Sequence, residues 1–138
     1  MNTPKIQISN KTSYSIDSCL FTNILKQIEI TEEILRGKEI SICLVTDKEI
    51  RDLNKKFFGR DSVTDVLTFR SEFTHLPYLG EIVINIEGLM IRKDSYRDSL
   101  KMLFIHGVLH LIGYDHINTE EKQKMETKEL RLCQDIKL

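Results

Sequence analysis

The sequence predicts an α/β fold of the α+β kind: a single compact domain over residues 1–138, with a small mixed β-sheet packed against helices. Three observations predict it. Stretches with a two-residue apolar alternation interleave with stretches of four-residue period. Their order along the chain reads β-α-β-α-β-β-α-α. The length of 138 residues, with 41% hydrophobic and 30% charged side chains, suits one globular unit that buries its own core. Strand order does not follow from these patterns. There is no internal repeat, low-complexity tract or linker composition to divide the chain.

The first strand is KIQISN (5–10), where apolar and polar residues alternate. From about Ile16 to Leu35, the residues Ile16, Leu20, Ile24 and Ile28 recur every fourth position and predict an amphipathic helix. β-branched residues near Thr31 predict a break into two helices, and Gly37 marks the stop. EISICLVT (39–46) follows as a strand with Ile40, Ile42 and Leu44 on one face. Thr46 and Glu49 have capping-box spacing for a helix over 47–56, with Ile50, Leu53 and Asn54 on one side. GRDSVTD (59–65) has loop chemistry, VLTFR (66–70) reads as a strand, and EIVINI (81–86) as another after Gly80. A helix starting between Ser95 and Ser99 runs to Ile112, and Asn118 and Glu121 form a second capping box for a last helix to about Cys133.

Composition narrows the classes of function. The N-terminal NTPKIQISNKTSYSID has neither a basic n-region nor an apolar h-region, and no run is long enough to span a membrane. Three scattered cysteines, Cys19, Cys43 and Cys133, without CxxC spacing, fit a reducing cytoplasm and free thiols. A formal net charge of −1 neither favours nor excludes a nucleic-acid partner, because a basic patch is a local feature.

The chemistry lies in HGVLHLIGYDH (106–116), which holds three of the four histidines. Between Leu100 and Ile112 the polar side chains are Lys101, His106 and His110, so this helix is apolar all round and belongs in the core. His106 and His110 stand one turn apart on one face, a spacing that points two imidazoles at one ion. Gly113 ends the helix and lets the chain turn back, so that His116 supplies a third ligand. Three protein ligands and an open position is the arrangement of a catalytic zinc site. In HExxH proteases a glutamate follows the first histidine as general base; here that position is Gly107. Gly107 then serves close packing against another element. Asp115 either assists a bound water or orients a ligand histidine.

These residues resemble the YbeY-type endoribonucleases of bacteria. HGVLHLIGYDH matches that family's HGxLHLxGYDH signature, LNKKFFGRDSVTDVLTF (53–69) is similar to its LN…D..TDVLSF block, and GEIVI (80–84) to its GDI element. The resemblance implies a fold related to the zincins and one zinc ion on His106, His110 and His116. It implies a single-strand-specific, metal-dependent endoribonuclease that matures the 3′ end of small-subunit (16S) ribosomal RNA and takes part in ribosome quality control. The partners implied are single-stranded and ribosomal RNA and the ribosome or its small-subunit proteins, in the cytoplasm and without a membrane. Many members carry an arginine where this chain has Phe58 and a proline where it has Arg70. Arg60, two residues on, is the candidate to replace that arginine.

The mechanism expected is metal-assisted phosphodiester hydrolysis, with Asp115 and Arg60 as catalytic candidates. Arg70 and Lys55 or Lys56 are further candidates for phosphate contact. Lys55 and Lys56 equally suit a solvated helix face. Asp61, Thr64 and Asp65 suit the shaping of their loop through hydrogen bonds, and His75 is an ordinary loop histidine. The competing readings are a peptidase-like zinc hydrolase, which lacks a base at Gly107, and a non-catalytic ribosome-associated module braced by zinc.

Overall fold

Side chains of Glu39–Val45 (β2) alternate between two apolar faces, and the fold is built on both. In the computed structural model, which describes residues 4–91 and 96–138, β1 (Lys5–Asn10) runs parallel to β2. β2 runs parallel to β4 (Tyr78–Asn85), and β3 (Val66–Arg70) antiparallel to β4. The order in this mixed sheet is β1-β2-β4-β3. The fourth strand of the chain thus lies inside the third, and β3 becomes an edge.

Ile40, Ile42 and Leu44 of β2 and Ile82 and Ile84 of β4 face one core. That core is completed by α1 (Cys19–Thr31), α4 (Tyr96–Leu111) and α5 (Thr119–Asp135). Cys43, Val45 and Val83 face the other way, against Ile50 and Leu53 of α2 (Asp47–Phe58), with Leu67 and Phe69 of β3 alongside. Burial on both faces explains why β2 and β4 read as near-continuous apolar runs.

α4 is buried as its composition requires: Leu100, Phe104, Ile105, Val108, Leu109 and Leu111 are all inaccessible. Phe104 meets Phe21 of α1 edge to face, with ring centroids 5.2 Å apart. At Gly107 the helix crosses β4 so closely that a Cβ would lie 2.8 Å from Cγ2 of Ile82. This is the close packing expected of that glycine. Lys101 donates to the carbonyls of Cys133 (2.9 Å) and Ile136 (3.1 Å), where a cation satisfies the C-terminal end of α5.

Several boundaries differ from expectation. The first helix begins at Cys19, not Ile16, because Asp17 turns the chain: its carboxylate takes the Cys19 N–H (3.0 Å) and its carbonyl the Leu20 N–H (3.1 Å). The break at Thr31 is present, followed by a 3-10 turn over Glu33–Leu35 and by Gly37 in the left-handed region. Thr46 accepts from the Glu49 N–H at 3.4 Å, but the Glu49 carboxylate meets the Thr46 hydroxyl instead of the backbone. α2 runs on to Phe58, and a short α3 (Glu87–Ile91) follows β4 without having been expected. The expected window for the start of α4 opened at Ser95, which lies outside the described residues; the helix is present from Tyr96 and ends at Leu111, one residue early. Asn118 caps α5 as expected, accepting from the Glu121 N–H at 2.9 Å. Among the described residues no helix is long and apolar enough to cross a membrane.

Candidate metal centre

The last turn of α4 closes on Gly113, whose φ is 115°. The Gly113 N–H donates to the His110 carbonyl (3.2 Å) and the Tyr114 N–H to the Leu109 carbonyl (3.0 Å), the paired bonds of a Schellman ending. This turn brings His116 back beside the helix. Tyr114 anchors it from below: its hydroxyl donates to Glu32 (3.4 Å), which also pairs with Lys128 of α5 (2.9 Å).

His106, His110 and His116 converge there, each offering a ring nitrogen within 4.8 Å of the others. Ring centroids lie 4.6 Å apart for His106 and His110, and 5.1 Å for the stacked pair His110 and His116. With metal–nitrogen bonds of roughly 2.0–2.1 Å, two nitrogens of a tetrahedral site stand about 3.4 Å apart. Small ring rotations bring nitrogens that lie within 4.8 Å of one another to that spacing. The donors are chemically suited as well. Burial, and then the two neighbouring imidazoles, hold the His110 pKa below the ordinary histidine value, which leaves the ring neutral with a free lone pair at neutral pH.

Glu129 of α5 bonds the Nδ1 of His106. A carboxylate only accepts, so Nδ1 carries the proton and Nε2 keeps its lone pair for the cluster. Sequence reasoning missed this residue, which is far from the motif along the chain. Its signal is helical: Glu129 lies four residues after Met125 and three before Leu132, the two buried residues of α5, so it is an acid on an apolar stripe.

The histidines form one side of an open cleft of about 530 Å³. Val66, Leu67 and Thr68 of the β3 edge also line it, with Asn54, Phe58 and Arg60. Asn54 is buried, and its amide donates to the Ser62 carbonyl at 3.1 Å, which secures the 59–65 loop. Asp61 takes the Arg51 guanidinium at 2.7 Å, and that hydrogen bond and charge hold its carboxyl below the usual range. The Asp65 carbonyl accepts from the Asn85 N–H at 2.9 Å. Phe58 packs on Phe69, with centroids 5.6 Å apart.

The cleft brings together both catalytic candidates, Arg60 and Asp115, with the three histidines. The Asp115 carboxylate accepts from the His116 N–H at 2.7 Å, so one of its oxygens shapes the loop. Lys55 and Lys56 are exposed and do not line the cleft. Arg70 lies beside the Gly113 turn and does not line the cleft, and His75 sits beside the Phe73 ring, away from the cluster. Cys19, Cys43 and Cys133 are free thiols.

Comparisons with known proteins identify the family. The family described as Endoribonuclease YbeY matches residues 4–137. Relatives bearing the name Endoribonuclease YbeY include one from Sulfurovum sp. (strain NBC37-1), 34% identical, with 91% of this chain and 87% of the relative covered. Another, from Phytoplasma australiense, is 35% identical over 97% of this chain and 96% of its own length. Among solved structures, the solution structure of TM1509 from Thermotoga maritima is similar with a TM-score of 0.63 and 28% identity, covering 95% of this chain and 88% of that one.

Proposed function

The chain belongs to the endoribonuclease YbeY family, and from that premise we propose that His106, His110 and His116 hold one zinc ion at which single-stranded RNA is cut. The chain is a hydrolase of RNA phosphodiester bonds. The observation that carries the zinc reading is the convergence of three imidazole nitrogens within 4.8 Å in an open cleft. When bound, zinc supplies Lewis acidity, drawing charge from a phosphate oxygen and acidifying water toward a pKa of about 7.

The chain's own residues supply the rest. Glu129 fixes the tautomer and rotation of His106. Arg60, exposed and without an ion pair among the described residues, holds the phosphate across the cleft. Asp115 keeps the His116 loop in place and offers its second oxygen to a proton from water. Residues 1–138 act as one metallo-endoribonuclease domain. Its RNA is the precursor of small-subunit ribosomal RNA, cut at the 3′ end on or near the ribosome in the cytoplasm.

The competing readings are weaker on specific grounds. A glutamate at position 107, as a peptidase of the HExxH kind needs, has no room against Ile82. A purely bracing zinc takes four protein ligands in a closed site, and here three imidazoles border open space.

The test is cleavage of a single-stranded RNA by the purified protein, with metal content measured on the same samples. Wild type is expected to carry about one zinc ion per chain and to cut. His110→Ala is expected to lose both while remaining folded, and Arg60→Ala to keep the zinc and lose rate. A 2′,3′-cyclic phosphate in the products marks attack by the RNA's own 2′-hydroxyl. Equal cutting by wild type and His110→Ala sinks the proposal.

A further inference from the structure

A second cleft opens on the other side of the α4 C-terminus. It holds about 160 Å³ between the end of β3, the 71–77 loop and the last turn of α4. Phe73, Tyr78, Ile34 and Leu76 line it, together with two cations, Lys38 and Arg70, and no carboxylate among the described residues. The four apolar side chains are not core: Phe73 is 59% exposed, Ile34 54%, Leu76 44% and Tyr78 37%.

Neither Lys38 nor Arg70 has an ion pair among the described residues, unlike Lys124, Lys128 and Arg131 of α5. There Lys124 pairs with Glu120 and Glu121, Lys128 with Glu32, and Arg131 with Asp135. Unneutralised cations beside exposed rings are what a single-stranded nucleic acid requires, since the cations track phosphates and the rings take bases.

The position also follows on from the metal cleft along β3. β3 lines that cleft with Val66, Leu67 and Thr68 and this one with Arg70, two residues on, roughly 7 Å along the strand. The Arg70 guanidinium lies about 4.0 Å from where a Cβ of Gly113 would stand, in the turn that joins His110 to His116. A strand leaving the histidines along the β3 edge therefore passes Arg70 and reaches Phe73.

We propose that this second cleft is a subsite for the single-stranded RNA flanking the cut, in which a base stacks on Phe73 while Arg70 and Lys38 hold the phosphates beside it. The proposal rests on the RNA-cleaving reading above. Its ligand is a flanking nucleotide, read by its ring face and its backbone charge and not by base identity.

The test walks a single abasic nucleotide through a cleavable single-stranded RNA and measures KM and kcat for the zinc-loaded wild type, Phe73→Ala and Phe73→Tyr. In wild type, one flanking position is expected to raise KM roughly fivefold or more when its base is missing. Phe73→Ala should raise KM on intact RNA by a similar factor and lose all sensitivity at that position, and Phe73→Tyr should restore both. Phe73 is exposed, and zinc content and melting temperature confirm that each variant is folded. The subsite is overturned if no flanking abasic position raises KM in wild type, which requires no variant at all. It is equally overturned if Phe73→Ala keeps the wild-type abasic profile, as it would were the cleft a protein-docking surface. A wild type that does not cut intact RNA overturns the parent reading, and this one with it, and so is told apart from failure of the subsite alone.

Discussion

On one side of the metal cleft, His106 and His110 stand on a helix that buries Leu100, Phe104, Ile105, Val108, Leu109 and Leu111, and Glu129 from a second helix holds one of the rings. On the other side, Arg60 stands on a loop held by a few hydrogen bonds, among them the buried Asn54 amide on the Ser62 carbonyl and the Asn85 N–H on the Asp65 carbonyl, and by the exposed ion pair of Arg51 with Asp61. The contrast separates two tasks. Ligand nitrogens must be preset to a few tenths of an ångström, and only close-packed structure holds them so. A polyanionic substrate is gathered by charges on long side chains, which need reach more than rigidity. Changes on the helical side should therefore act on metal, and changes on the loop side on RNA.

The largest effect that sharpens this contrast is at Glu129. Glu129→Gln keeps an acceptor for His106 but removes the charge that favours its Nε2 as a donor, and metal affinity should fall about 10- to 100-fold. Glu129→Ala should lose more, because the His106 ring is then free to turn. Zinc affinity by competition with a chelator reads both. If Glu129→Gln binds zinc as tightly as wild type and is altered only in its KM for RNA, the assignment of metal to the helical side is broken.

The histidine side was legible because its logic is local. The i,i+4 spacing, the helix-ending Gly113 and the following His116 are neighbours along the chain, and each acts through backbone geometry. Glu129 was illegible because its partner is fixed by how α5 packs on α4, which no local pattern encodes. The same holds for strand order: alternation identified the strands but carried nothing about β4 pairing between β2 and β3. The start of α1 was overextended because apolar period four continues back to Ile16, whereas the hydrogen bonds of Asp17 decide where the helix begins. On the loop side, Asn54 shares a helix face with Ile50 and Leu53 by spacing alone, but nothing in that spacing tells that it is buried and that its amide reaches Ser62 eight residues on.

A smaller effect is expected at Asn54. Asn54→Ala removes the amide that holds the Ser62 carbonyl and should cost about 1 kcal/mol in stability, since water replaces the bond at the loop. The released loop also carries Arg60, so cleavage should weaken through KM while zinc content stays at the wild-type value. Asn54→Asp should be worse than alanine, because it sets a carboxylate against a carbonyl. Denaturant unfolding, KM and metal analysis on the three proteins test this together. Loss of zinc in Asn54→Ala would mean that the two sides of the cleft are mechanically one.

The smallest effect is at the Arg51–Asp61 pair, and it tests how little holds the loop. Both side chains are more than half exposed, so water and salt screen the contact although it is short, at 2.7 Å. Its contribution has a definite sign. The Arg51 hydrogen bond, and then its charge, lower the folded-state pKa of Asp61. The stabilisation is therefore present above the ordinary carboxylate pKa and is lost as pH falls through the lowered value, on the acid side of about pH 4. Asp61→Asn should melt only slightly below wild type at pH 7 in low salt, and that difference should vanish in high salt and again at strongly acid pH. A difference that persists through both, or a large one at pH 7, would show that Asp61 braces the loop by something other than its exposed partner, and the loop side would then be as firmly built as the helical one.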